Sequence, residues 1–171
     1  MSIDRFKDLP KETLLGMLED FAKNWLAHDG LWFQAVEKEN DMKTAIKLDT
    51  EAWERFTKIE AKRIMKRHNI PENGGLEALK KALGFRLYAA LNVQTISEET
   101  KNSFVFKMVD CRVQSARKRK ELPPFPCKSV GLVEYAGFAS AIDPRIKTEC
   151  IACPPDEAER DYYCGWRFYM E

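Results

Sequence analysis

Long apolar runs are missing from this 171-residue chain. No uncharged stretch approaches the roughly 20 residues that a bilayer-spanning helix needs. Histidine is scarce as well: only His28 and His68 occur, so histidine-based catalysis has few players. No Ser-His-Asp order, phosphate-cradling Walker loop, Gly-rich dinucleotide turn or His-Glu-x-x-His pair is present, which excludes the familiar signatures of those enzyme classes. Net charge is nearly absent, since 28 Lys and Arg face 27 Asp and Glu. Without a global field, neither nucleic acid nor an acidic lipid surface is the expected partner. The opening residues, Met1 to Asp8, show no apolar stretch of the signal-peptide kind. The expectation is a soluble cytoplasmic protein, in a compartment where thiols stay reduced.

Against these absences stands a concentration of cysteine. Four of the five cysteines, Cys127, Cys150, Cys153 and Cys164, fall in the last 45 residues. An odd total forbids a complete disulfide framework within one chain. Cys150-Ile-Ala-Cys153 has the two-residue spacing with which a chain bends round one ion, and Cys127 and Cys164 are candidates for the remaining corners of a tetrahedron. Cys127 opens a predicted helix, whose positive end favours a thiolate. Four thiolates describe a closed structural zinc site. The same set suits an iron–sulfur cluster, with Pro154 directly after Cys153, and free cysteines also serve as small apolar core residues.

The chain reads as α+β, one domain over residues 1–171, with a mainly helical part at 1–90 and a sheet and metal-binding part at 91–171. Leu14, Leu18, Phe21 and Trp25 recur with helical spacing after Pro10. Asp29-Gly30 is expected to break that helix, and a second to carry Leu31 to Val36. Asp49 or Thr50 is expected to cap a third, stopped by His68 to Gly75, and a fourth runs from Leu76 towards Leu87. From Asn92 onward β-branched and aromatic residues alternate. Strands are predicted at Asn92 to Ile96, Ser103 to Val113, Ile146 to Ile151 and Tyr162 to Tyr169, with a helix over Cys127 to Ile142. The second strand carries apolar residues on both faces, the mark of a strand central in its sheet. The last two strands are expected to pair as a hairpin, which returns Cys164 towards Cys150 and Cys153.

Other residues are candidates for a ligand site. Arg112, Gln114 and Arg117 alternate with apolar residues and are candidates to converge on an anionic ligand, since an Arg fork suits a carboxylate. The basic run Arg117 to Lys120 reads as a solvated turn. Cys111, beside Arg112, is the one candidate nucleophile, with a packed core thiol as the plainer reading. Trp32, within His28-Asp-Gly-Leu-Trp-Phe, places a large ring beside polar groups. Glu60 lies on the apolar stripe of the third helix, where an acid needs a partner, and Arg63 one turn on is the expected one.

Asp110-Cys-Arg-Val-Gln-x-Ala-Arg-x-Arg-Lys, Phe-Pro-Cys127-Lys-Ser-Val-Gly and Cys150-Ile-x-Cys153-Pro-Pro-Asp, with Trp53 and Glu60-Ala-x-Arg63-Ile64, resemble a family of small prokaryotic cytosolic proteins of unassigned function. More distantly, the C-terminal half is similar to the 4-vinyl reductase domain and to sensor domains of aromatic-responsive transcription activators, which bind zinc. By position Cys127, Cys153 and Cys164 match their cysteines, while Cys150 stands where the sensors have glutamate. A further distant similarity is to 2-aminothiazoline-4-carboxylate hydrolase-like proteins. These resemblances imply helices against an antiparallel sheet, often a homodimer, enclosing an apolar pocket for a small-molecule ligand. The expected function is a zinc-binding, small-molecule-binding or sensory domain. The alternatives are a hydrolase of small cyclic or carboxylated substrates, and an iron–sulfur or redox protein.

Overall fold

A computed structural model describes residues 2–157 and 159–171. After a 3-10 turn at Ser2–Phe6, helix α1 (Lys11–Glu39) runs unbroken through Asp29-Gly30, against the expected break. A helical glycine costs only about 1 kcal/mol, and α1 packs against α2 and the short helix that follows residue 86. Helix α2 (Met42–His68) begins earlier than the sequence suggests: the Asp41 carboxylate caps it by accepting the Thr44 N–H at 2.6 Å. Asp49 and Thr50 therefore lie inside α2 and cap nothing. Its end falls where predicted, with Asn69 in the left-handed region at φ 51°. Helices α3 (Gly75–Leu83) and α4 (Leu87–Leu91) replace the single helix expected there. The bend at Gly84 to Arg86 turns the Arg86 side chain into the core, 3% exposed.

The remaining elements are β1 (Val93–Ser97), β2 (Ser103–Asp110), α5 (Arg112–Arg119), α6 (Lys128–Ile142), β3 (Lys147–Ala152) and β4 (Cys164–Tyr169). The strands form one antiparallel sheet in the order β1-β2-β4-β3, so the fold is α+β with β2 and β4 central. The expected hairpin of β3 and β4 is present. Two readings fail at the end of β2: Val113 belongs to α5, and the basic run is the last turn of that helix instead of an irregular connection.

Alternation in the strands decides which side chains meet the helices. Phe104, Phe106 and Met108 of β2 and Cys164, Trp166 and Phe168 of β4 are all buried with Tyr135, Phe138, Ala139 and Ile142 of α6. On the other face Val105 is buried but Val109 is exposed, so the apolar character of that face is only partly covered.

Helix α6 lies between α2 and the sheet, and small residues let both approach closely. A Cβ at Gly137 would meet Thr57 Cγ2 at 2.7 Å, and one at Gly131 would meet Trp166 Cζ2 at 2.6 Å. The Thr57 hydroxyl donates to the Glu134 carbonyl at 2.8 Å, fastening α2 to α6. At the far end of α6, Asp143 is fully buried. Its carboxylate accepts from the Gly75 and Arg145 N–H groups and the Arg145 guanidinium, and these bonds hold its pKa down at about 2. Among the described residues, no helix is long and apolar enough to cross a membrane.

Candidate functional site: a cavity between α1, α5, α6 and the sheet

Because α1 and α5 stand over the inner face of α6 and β4, a cavity of about 400 Å³ is left beneath them. Its walls are largely apolar, with the rings of Phe33, Trp53, Tyr88, Phe125, Tyr135 and Trp166 among its lining residues. A volume of that order suits a small organic molecule. Tyr135 stacks on Trp166 at 4.8 Å and Phe33 meets Phe125 edge-on at 4.8 Å, so these rings brace one another. The Trp166 indole is fully buried, and its Nε1–H meets no acceptor among the described residues.

One end of the cavity is acidic. Asp29 comes from α1, Asp49 from α2 and Glu134 from α6. Behind them Arg86 reaches both Glu60, with Nε and a terminal nitrogen at 2.9 Å from one carboxylate oxygen, and Glu134, at 2.7 Å. The ring faces of Trp53, Tyr88, Tyr135 and Phe138 lie 4.7 to 5.7 Å from the guanidinium. Burial works against charge on Arg86, yet Glu134 and Glu60 raise its pKa above the ordinary value. Burial raises the Glu134 carboxyl, opposed by Arg86. Asp49 makes no ion pair among the described residues, although a hydrogen bond with the Trp53 side chain favours its charged form. Desolvation pushes its carboxyl up to about 7, with the charges of Asp29 and Glu134 adding to the effect. Asp29 is likewise raised by desolvation.

The other end carries thiols. Cys111, Cys127, Cys153 and Cys164 all line the cavity. Cys127 precedes the first turn of α6, and its Sγ lies 3.6 Å from Cys153 Sγ. The loop after β3 is fastened there. The Lys128 N–H donates to the Pro154 carbonyl, the Lys128 ammonium contacts both Asp156 oxygens at 2.9 Å, and the Cys153 N–H donates to Asp156 at 3.1 Å. Hydrogen bonds from Cys153 and Gln114 hold the Cys127 thiol below its ordinary range. Hydrogen bonds to Cys127 and Cys164 push the Cys153 thiol well up. Cys150 pairs with Trp166 across the β3–β4 ladder and so shares the helix-covered face with Cys164, although it does not line the cavity.

The donor set bears on a thiophilic ion directly. Sulfurs bound at about 2.3 Å on a tetrahedral zinc stand roughly 3.8 Å apart, close to the separation of Cys127 and Cys153 and far beyond a covalent S–S bond of about 2.05 Å. Among the described residues, no three His, Cys, Asp or Glu side chains are gathered as a ready-made cage. The convergence therefore consists of the Cys127–Cys153 pair with Cys164 in hydrogen-bond contact and Cys150 on the same face. Two thiols in contact and a third beside them on the cavity wall supply soft donors short of a complete set among the described residues, with Cys150 on the same sheet face outside the lining.

The other sequence candidates divide. Arg112 and Gln114 both line the cavity, but Gln114 is engaged with the loop. Its amide donates to the Phe125 carbonyl at 2.8 Å and to Cys127 Sγ at 3.6 Å, and its oxygen accepts the Phe125 N–H. Arg117 is buried and forked onto Glu37 of α1, which corrects the solvated reading at that residue, while Lys118, Arg119 and Lys120 are exposed as expected. Trp32 is 69% exposed and does not line the cavity; on the continuous α1 its neighbours Leu31 and Phe33 do. Glu60 also lies behind the lining, and its partner is Arg86 instead of Arg63, which stays exposed. Burial pushes the Cys111 thiol up to about 12. Three residues of the acid end, Arg86, Asp49 and Glu134, were missed. Glu134 shares one stripe of its helix with Val130, Tyr135 and Phe138, a position where an acid demands explanation.

Comparison with known protein families matches residues 7–170 to a family of unknown function, DUF6125. No curated protein matches the chain.

Proposed function

The chain belongs to this family of unknown function, and we propose that it is a small-molecule-binding or sensory domain protein carrying zinc on its cysteines. The observation that supports the reading best is the juxtaposition of two features: a largely apolar cavity of about 400 Å³ and, on its wall, the 3.6 Å thiol pair of Cys127 and Cys153. In this reading Cys127, Cys153 and Cys164 hold the ion and Cys150 completes the set. Zinc would supply structural stabilisation there, tying the β3–β4 hairpin to the start of α6. The 4-vinyl reductase-like resemblance points the same way, as does a cytoplasmic setting in which thiols stay reduced.

A hydrolase using Cys111 would need its thiolate at neutral pH, and the burial of that thiol works against it. An iron–sulfur protein would use the same thiols and would be brown.

Metal analysis of protein purified without added zinc tests the proposal. About one zinc per chain is expected, with loss of the cooperative thermal transition on chelation. Cys153→Ser is expected to lose metal and stability together. A metal-free native protein, or a Cys153→Ser variant that keeps both, would end the zinc reading.

A further inference from the structure

The acid end of the cavity is short of positive charge. Arg86 is occupied by Glu60 and Glu134, while Asp29 and Asp49 lie near enough to Glu134 and to each other to disfavour further negative charge. Among the described residues, neither Asp29 nor Asp49 makes an ion pair. His28, next to Asp29 on α1, offers a charge only when protonated, and Lys23, which lines the cavity, is held by Glu19 at 2.6 Å. Partly desolvated carboxylates without a counter-ion carry a cost, and a bound cation relieves it.

Two independent features point to what the cation is attached to. The first is the buried Trp166 on the wall of the same cavity, whose Nε1–H lacks an acceptor. A buried donor left unsatisfied costs about 1–3 kcal/mol, so an oxygen carried by the ligand is favoured there. The second is the set of ring faces. Trp53, Tyr88 and Tyr135 line the cavity and already flank one cation, Arg86. Such rings accept a flat aromatic body and a positive charge together.

We propose that the cavity binds a small aromatic amine in its protonated form, the ammonium set between Asp29 and Asp49 and a hydroxyl or carbonyl oxygen of the ligand accepting from Trp166 Nε1. The proposal rests on the small-molecule-binding reading above and names the ligand class of that site. Carboxylated aromatics are rejected at the acid end by Asp29, Asp49 and Glu134, although Arg112, Arg119 and Lys120, exposed on the α5 side of the lining, would attract them to that edge.

Titration of the full chain with four related probes, followed by tryptophan fluorescence, tests it. Trp53 and Trp166 both report, because both line the cavity. The probes are tyramine, 2-(4-hydroxyphenyl)ethanol, 4-hydroxyphenylacetate and phenethylamine, which vary the charge and then the ring oxygen. Tyramine is expected to bind at least tenfold more tightly than the alcohol, several-fold more tightly than phenethylamine, and the acid weakest of all. Asp49→Asn should erase the gap between amine and alcohol; Asp29→Asn serves the same purpose if the first variant does not fold. Trp166→Phe should erase the gap between tyramine and phenethylamine. Equal binding of amine and alcohol, or tightest binding of the acid, overturns the amine proposal and leaves the cavity reading standing. No response to any of the four overturns both.

Discussion

At the α1–α2 end of the cavity the half-buried polar groups are carboxyls, Asp29 and Asp49, with no counter-ion among the described residues. At the end built from α6 and the β3–β4 hairpin they are thiols, which pack as small apolar groups and tolerate burial while protonated. The first end therefore carries a standing electrostatic cost that a proton or a cation relieves. The second carries no such cost while its thiols are protonated. Between them stands a shared aromatic wall, Tyr135 against Trp166, so a ligand seated there touches both regions.

The acid end breaks most readily through Arg86. Arg86→Leu leaves Glu60 and Glu134 facing each other without compensation and is expected to lower stability by about 3–5 kcal/mol. Urea unfolding at pH 7 measures this, and a loss under about 1 kcal/mol would show that the cluster is not held by Arg86.

Asp49→Asn sharpens the contrast by acting in the opposite direction. The folded carboxyl titrates at about 7, above its ordinary 3.8. Protonation thus favours the fold: this contribution is complete below about pH 4 and is lost as pH rises through 7. Asparagine imitates the protonated acid, so the variant should match the wild type at pH 4 and exceed it by about 2–4 kcal/mol at pH 8. Melting temperatures recorded across that range decide the matter; a variant with no gain at pH 8 contradicts a desolvated Asp49.

The smallest change addresses the wall common to both ends. Gly131→Ala would place a Cβ 2.6 Å from the Trp166 ring. Overpacking of this kind costs about 1–3 kcal/mol. A shifted Trp166 emission with weaker tyramine binding is expected, whereas an unchanged spectrum would mean that the ring does not depend on the glycine.

Much of the architecture was legible before any coordinates. The stop after His68, the helix over Cys127 to Ile142 and the cysteine-bearing hairpin all follow from periodicity, caps and β-branched alternation, which are local properties. Local reading failed where tertiary contact outweighed a weak signal. Gly30 was read as a break because glycine disfavours helices, yet its cost is small beside the packing of a 29-residue helix. Asp49 was read as a cap because its type suits one, while Asp41 eight residues earlier takes that place. Arg117 was assigned to solvent by the company of its basic neighbours, and only the approach of α1 brings Glu37 to it.

The same division runs through the site. Which residues carry soft donors, which strand ends place them near a hairpin, and that the chain is α+β were determined by residue type and spacing alone. That Cys127 meets Cys153, that Arg86 rather than Arg63 answers Glu60, and that Asp29 and Asp49 face one cavity were decided only by the tertiary structure. The physical reason is that burial, and with it the cost of a charge, belongs to no residue by itself but to everything packed around it.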